Sequence, residues 1–263
     1  MELKGTVAIV TGAARGIGRG IAACLAREGV HVVIADLGQN QDIAREMEET
    51  ARQVRAHGVE ALTVNVDVRN WEQVQGMVKA AIDRFGRVDI LVNNAGVISV
   101  APVVAMEESE WDRVLGVNLK GAFLCSKAVA PHMMERRSGR IVNLSSQAGK
   151  RGYLALAHYC ASKFGVIGFT QSLAHEMGPS NVTVNAVCPG EVDTAMFRDV
   201  LSPAIALLTG KTPEEAWQEW ITTRVPLGRP QTAEDIGEAV VFLCRAENIT
   251  GEALNVTGGS EMA

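Results

Sequence analysis

The sequence predicts a single doubly wound α/β domain: a seven-stranded, mainly parallel sheet with helices on both faces. Three observations lead there. Short β-branched runs alternate with longer helical patterns from the first residues onward. The runs are almost continuously apolar, as strands buried on both faces must be. No Pro- or Ser-rich linker, internal repeat or low-complexity stretch divides the 263 residues, so one domain over 1–263 is expected.

The strand-like runs, in order, are Val7–Thr11, His31–Asp36, Ala61–Val66, Asp89–Asn93, Arg140–Ser145, Val182–Val187 and Ala253–Val256. Between them lie amphipathic, helix-length stretches: Ile17–Glu28, Gln41–His57, Trp71–Phe85, Glu108–Arg137 (two helices split near Gly121) and Ala161–Met177. One segment breaks the rhythm. From Glu191 to Pro230 no strand is evident, and a connection of that length in a compact domain is usually functional. It is expected to form a lid over a substrate site, with a helical Pro213–Ile221 stretch that puts Trp217 and Trp220 on one face.

Composition bounds the function. Apolar residues make up 47% and charged residues 21%, enough apolar chain for a sizeable core. With 25 Lys and Arg against 30 Asp and Glu the net charge is −5, which argues against nucleic acid or an anionic membrane as partner. No run approaches the roughly 18 apolar residues of a membrane span. The N-terminus shows no basic-then-apolar signal pattern. Five scattered cysteines (Cys24, Cys125, Cys160, Cys188, Cys244) lack C-x-x-C spacing, so neither a disulfide framework nor a metal site is indicated. A cytoplasmic protein without a metal is expected.

The first strand runs into Thr11-Gly12-Ala13-Ala14-Arg15-Gly16-Ile17-Gly18. Glycines at a strand-to-helix turn let the backbone bend tightly and approach a pyrophosphate, which then rests on the N–H groups opening the helix. The spacing is G-x-x-x-G-x-G, a variant of the Rossmann fingerprint. The second strand ends in Asp36-Leu37, where a carboxylate accepts hydrogen bonds from the adenosine-ribose hydroxyls and repels a 2′-phosphate. Arg15 pulls the other way, because a cation there pairs with that phosphate. The direct obstacle at Asp36 outweighs it, and NAD is expected over NADP.

Tyr159 begins Tyr159-Cys160-Ala161-Ser162-Lys163, so on a helix Lys163 shares its face. A free phenol, with a pKa near ~10, is a poor base at neutral pH. A nearby ammonium favours the phenolate. With these residues the chain resembles the short-chain dehydrogenase/reductase family over essentially its whole length. Gly12, Gly16 and Gly18 look like the family's cofactor turn, Asp67-Val68 like its adenine-contacting pair, and Asn93-Asn94-Ala95-Gly96 like the segment that steadies the sheet and lines the cofactor cleft. Asn118 falls at the family's active-site asparagine. Ser146 precedes Tyr159 by 13 residues, and Pro189-Gly190 with Val192 and Thr194 is similar to the motif that holds the nicotinamide carboxamide.

The resemblance implies that Ser146 hydrogen-bonds the substrate oxygen and Tyr159 passes the proton. It implies that Lys163 holds the nicotinamide ribose and lowers the tyrosine pKa, and that Asn118 positions a water linking Lys163 to solvent. Spacing favours Ser146 over Ser145 without excluding the latter. The family's usual homotetramer, or a homodimer, is expected, with Gly251–Gly259 near a subunit interface.

Ser146 and His158 lack the G-x-S-x-G elbow of a hydrolytic triad. His158 is read as a surface or capping residue rather than a pocket edge. His31, His57, His132 and His175 show no metal spacing, and Cys160 is read as packing. Substrate contacts are expected from Gln147, Arg151, Tyr153 and Glu191 beside Ser146. That mixture suits a small polar ketone, diol, polyol or sugar. Lys150-Arg151 is read as solvated surface, with an anion site as the alternative. Two other functions remain open: reduction of 3-oxoacyl thioesters, with Arg136 and Arg137 gripping an acyl-carrier protein, and a non-catalytic dinucleotide sensor.

Overall fold

A computed structural model of the chain describes residues 1–38 and 40–262; within the helix Ser202–Thr209 the side chains of Leu208 and Thr209 are outside the description. The strands are β1 (Val7–Thr11), β2 (His31–Asp36), β3 (Ala61–Asn65), β4 (Ile90–Asn93), β5 (Gly139–Leu144), β6 (Val182–Pro189) and β7 (Ala253–Val256). They form one seven-stranded sheet in the order β3-β2-β1-β4-β5-β6-β7. Every pairing is parallel, where a mainly parallel sheet was expected.

Helices α1 (Gly16–Arg27), α2 (Gln41–Arg55), α3 (Trp71–Phe85), α4 (Glu108–Leu115), α5 (Gly121–Arg136), α6 (Ala157–Met177), α7 (Ser202–Thr209), α8 (Pro213–Arg224) and α9 (Ala233–Arg245) make the crossovers and the segment before β7. Successive β1 side chains enter opposite layers, as a strand's alternation requires. Ala8 and Val10 pack with Ile21 and Leu25 of α1 and Ile236 of α9. Val7 and Ile9 pack with Met77 of α3, Val129 of α5 and Leu173 of α6. The N-termini of α2 and α3 are capped by Asn40, accepting from the Ile43 N–H at 2.8 Å, and by Asn70, accepting from the Gln73 N–H at 3.0 Å.

Two segments depart from the sequence reading. Glu108–Arg136 is helical throughout, but α4 and α5 are joined by a π-helical turn over Gly116–Lys120 instead of a break. The Glu191–Pro230 segment is mostly helical: a π turn at Phe197–Leu201, then α7 and α8. Thr212 and Glu215 close a reciprocal capping box at the start of α8, and Phe197 packs on Trp217 with ring centroids 4.1 Å apart.

The chain leaves β1 toward β2 and β3 and later returns to β4 on the other side of β1. The crevice beyond the carboxyl ends of β1 and β4 is therefore the topological switch point, where open α/β sheets bind ligands.

Candidate active site

A cleft of about 1300 Å³ occupies that crevice. Its floor starts at the glycine turn. Gly12 has φ +64, and a Cβ there would lie 2.8 Å from Ala95 Cα. A side chain at Gly18 would overlap the Gly12 carbonyl oxygen. The Asn94 amide donates to the Thr11 and Gly12 carbonyls at 2.8 and 2.9 Å, and the Thr11 hydroxyl accepts from the Asn94 and Ala95 N–H groups, both at 3.1 Å. The two loops are thereby fastened together at the switch point. Helix α1 opens on Arg15, in extended conformation, with no side-chain cap and no acidic residue in its first turn. Its opening residues Gly16, Ile17 and Gly18 line the cleft, an arrangement that suits a pyrophosphate.

Asp36 ends β2 at the cleft edge, with its carboxylate accepting the Ala14 N–H at 2.8 Å and the Leu37 N–H at 2.7 Å. Gly12, Arg15, Gly16, Ile17, Gly18, Asp36, Leu37, Asp67, Val68, Asn94, Ala95, Gly96, Pro189, Gly190, Val192 and Thr194 all line this one cleft. The glycine turn, the uncapped helix end and the acid after β2 fit a dinucleotide. The Asp67 carboxylate is clasped by the Arg69 guanidinium at 2.6–3.1 Å. That hydrogen-bonded pair holds the carboxyl below its ordinary range.

Toward the middle of the cleft lie Ser146, Tyr159 and Lys163. Ser146 follows β5, its hydroxyl accepting the Ala148 N–H at 3.1 Å, and lines the cleft with Tyr159 on the first turn of α6. The Lys163 Nζ donates to the Leu144 carbonyl at 2.8 Å and lies 5.6 Å from the centre of the Tyr159 ring. Burial pushes the Tyr159 phenol up to about 12, with the Ser146 hydroxyl only partly offsetting it. Burial also brings Lys163 down to about 8. The ammonium thus turns to a backbone carbonyl instead of the phenol oxygen, and the expected lowering of the tyrosine pKa is absent in the chain alone. Ser145 points elsewhere, donating to the Lys163 carbonyl at 2.9 Å. This places Ser146, and not its neighbour, beside the tyrosine.

Asn118 sits in the π turn, 3% exposed. Its Oδ1 accepts the Val97 N–H at 2.8 Å, and its Nδ2 donates to the Val97 carbonyl and the Ser162 hydroxyl, both at 3.0 Å. Both amide protons are therefore committed. The Oδ1 and the Lys163 Nζ flank Gly96, at 3.4 and 3.7 Å from where its Cβ would be. Beneath the site, Asn93 donates to Asn143 at 2.8 Å and to Ser126 at 3.0 Å, and Asn143 donates to Thr170 at 2.9 Å. These bonds tie β4, β5, α5 and α6 together.

The far end of the cleft carries Gln147, Arg151, Tyr153 and Glu191, joined by Trp220 and Arg224 from α8. Arg151 donates to the Tyr153 hydroxyl at 2.8 Å and pairs with Glu261 at 3.1 Å. Burial raises the Tyr153 pKa. Sequence reasoning missed two features. Glu191 is 2% exposed, whereas glutamates are ordinarily solvated. His158, read as a surface or capping residue, is fully buried and shares a 2.7 Å hydrogen bond with Ser99, so the surface reading is wrong; burial lowers its pKa. Arg136 pairs with buried Asp89 at 3.1 Å and Arg137 donates to the Pro179 carbonyl at 3.0 Å, where α5 ends. No helix among the described residues is long and apolar enough to cross a membrane.

Residues 6–204 match the model of the short chain dehydrogenase family. The chain is 41% identical to galactitol 2-dehydrogenase of Agrobacterium fabrum, over all of both proteins. It is 39% identical to the 3-oxoacyl-acyl-carrier-protein reductase of Staphylococcus aureus, over 97% of this chain and 98% of that one. Among solved structures, NAD+-bound xylitol dehydrogenase superposes with a TM-score of 0.90 at 33% identity, covering 98% of this chain and 100% of that one. A single-substitution variant of actinorhodin polyketide ketoreductase with NADPH gives a TM-score of 0.91 at 39% identity, covering 97% of each.

Proposed function

This chain belongs to the short-chain dehydrogenase/reductase family, NAD(P)-dependent oxidoreductases acting on CH–OH groups, and from that premise we propose that it interconverts a secondary alcohol and its ketone with NAD(H), the substrate being a small diol, polyol or sugar. The observation that carries the reaction is the meeting of Ser146 and Tyr159 with a buried Lys163, whose Nζ lies 5.6 Å from the tyrosine ring, in the cleft that the uncapped glycine turn opens.

The nicotinamide supplies the hydride acceptor or donor when bound. The turn from Gly12 to Gly18, with Arg15 and Ile17, would hold the pyrophosphate; Asp36 and Leu37 the adenosine ribose; Asp67 and Val68 the adenine. Asn94, Ala95 and Gly96 with Pro189, Gly190, Val192 and Thr194 would hold the nicotinamide end. Ser146 holds the substrate oxygen, and Tyr159 Oη takes the hydroxyl proton on oxidation and returns it on reduction. With the phenol pushed up to about 12, Tyr159 rests as a loaded proton donor at neutral pH. Lys163, buried beneath it, steadies phenolate character with its positive charge and holds the nicotinamide ribose. Asn118 fixes the loop after β4 through Val97, and the space at Gly96 between Asn118 Oδ1 and Lys163 Nζ is where a relay water would sit.

The polar make-up of the far end, with Gln147, Tyr153, Arg151 and Glu191, supports a hydroxylated substrate, as do the likenesses to galactitol and xylitol dehydrogenases. Asp36 supports NAD, because a 2′-phosphate would meet its carboxylate. The second reading, reduction of 3-oxoacyl thioesters, draws on the 39% identity to the Staphylococcus aureus reductase. Against it, Arg136 and Arg137 are engaged with Asp89 and Pro179 and are poorly placed to grip an acidic carrier. A mere dinucleotide sensor would have no need of the complete Asn118–Ser146–Tyr159–Lys163 set.

The test is NADH absorbance over a panel of polyols, vicinal diols, monohydric secondary alcohols and acetoacetyl thioesters. Oxidation of hydroxylated substrates is expected to lead; turnover of the thioester alone would replace this reading with the second. The assembly expected is a cytoplasmic homotetramer, measurable by light scattering.

A further inference from the structure

At the far end of the cleft a carboxylate is buried without a cation. Glu191 directly follows the Pro189-Gly190 loop and is 2% exposed. Its Oε1 accepts from Gln147 Nε2 at 2.7 Å and from Trp220 Nε1 at 2.9 Å. Its Oε2 has one donor candidate, the Ser260 hydroxyl at 3.0 Å. That hydroxyl has a single proton and three acceptors in reach: Glu191 Oε2, Gln147 Oε1 at 2.9 Å and the Thr257 carbonyl at 3.1 Å. Among the described residues Glu191 forms no ion pair; the nearby Arg151 is paired with Glu261. Among the described residues Oε2 therefore has at most this one shared donor, whereas a carboxylate accepts up to about four hydrogen bonds.

Gln147, which holds Oε1, is the residue after Ser146, and both line the cleft with Glu191. Gln147 and Glu191 thus border the part of the cleft next to Ser146, within which a substrate with its reacting oxygen on Ser146 and Tyr159 would lie. From this we propose that Glu191 is a specificity-determining residue that selects substrates carrying a second hydroxyl beside the reacting carbon. That hydroxyl donates to Oε2, a charge-assisted bond, while a methylene in its place supplies no such donor, the situation that discriminates most strongly against an analogue lacking the group. The same carboxylate repels substrates with a carboxylate or phosphate at that position, which counts against an anion site at Lys150-Arg151. The inference rests on the dehydrogenase reading given above and refines its substrate class to vicinal diols and polyols.

The experiment compares kcat/KM for sec-butanol, the matching vicinal butanediol, xylitol and galactitol with NAD, for the wild-type chain and for Glu191→Gln. The carboxamide is isosteric and its oxygen still accepts from Gln147 and Trp220. Wild-type protein should favour the vicinal diol over sec-butanol by about 10- to 100-fold, and Glu191→Gln should collapse that ratio toward one, mainly through KM. The wild-type ratio needs no variant, so a misfolded Glu191→Gln would not spare the proposal. Equal wild-type rates for diol and monohydric alcohol would overturn it, as would an unchanged ratio in a folded Glu191→Gln. If no alcohol is oxidised while acetoacetyl thioester is reduced, the dehydrogenase reading itself has failed and the role of Glu191 falls with it.

Discussion

Lys163 is buried where an ammonium is poorly solvated, and this has a measurable consequence for stability. Its ordinary pKa of 10.5 falls to about 8, first because of burial, with Cys188 only partly offsetting. The unfolded chain therefore binds the proton more tightly than the folded one. Between about pH 8 and 10.5 stability rises with pH, and below pH 8 the full penalty applies. The fall corresponds to about 3 kcal/mol at pH 7, at about 1.4 kcal/mol per pH unit. Replacing Lys163 by Met keeps the length of the side chain and removes the charge. It also strips the Leu144 carbonyl of its 2.8 Å donor, at a cost of about 1 to 2 kcal/mol. Lys163→Met should therefore stabilise the cofactor-free protein by about 1 to 2 kcal/mol at pH 7, and the gain should vanish near pH ~9.5. Urea denaturation of both proteins at the two pH values measures it. A variant less stable than wild type at pH 7, or a difference that does not change with pH, would refute the reasoning.

Other substitutions probe separate parts of the molecule. Asp36→Ala removes the acceptor for the Ala14 N–H and the obstacle to a 2′-phosphate; the ratio of kcat/KM for NAD over NADP should fall by about tenfold or more, and an unmoved ratio would show that Asp36 does not set the preference. Asp89→Ala leaves Arg87, Arg136 and the Val7 N–H without their shared acceptor. Because Asp89 is fully buried, this should cost about 3 kcal/mol in urea denaturation with NAD affinity little changed, and a loss under about 1 kcal/mol would contradict the account.

The sheet and the glycine turn were legible because each rests on a local rule. Fully buried parallel strands must be apolar throughout, so Val7–Thr11 and His31–Asp36 fall at the boundaries the pattern marks. A tight turn before a helix needs glycine, and Gly12 does adopt φ +64. The sequence does not show how side chains share partners across long separations. Asp67 spends its carboxylate on Arg69, and the choice between Ser145 and Ser146 depends on which hydroxyl the backbone of α6 claims. Glu191 becomes a buried carboxylate only when Gln147, Trp220 and Ser260, from three distant stretches, meet around it. Of the helices after Glu191, α8 contains the Pro213–Ile221 stretch read as helical, whereas α7 carried no such pattern. The Gly116–Lys120 π turn that presents Asn118 carried none.

Proton transfer at Tyr159 is the central claim, and Tyr159→Phe tests it most directly. The phenyl ring keeps the packing of the cleft wall and loses only the hydroxyl. Turnover of the best polyol should fall by about 100- to 10,000-fold, while the Kd for NADH, measured by fluorescence, stays within about threefold, a shift of under 1 kcal/mol. A Tyr159→Phe protein that oxidises the polyol at the wild-type rate would contradict the account.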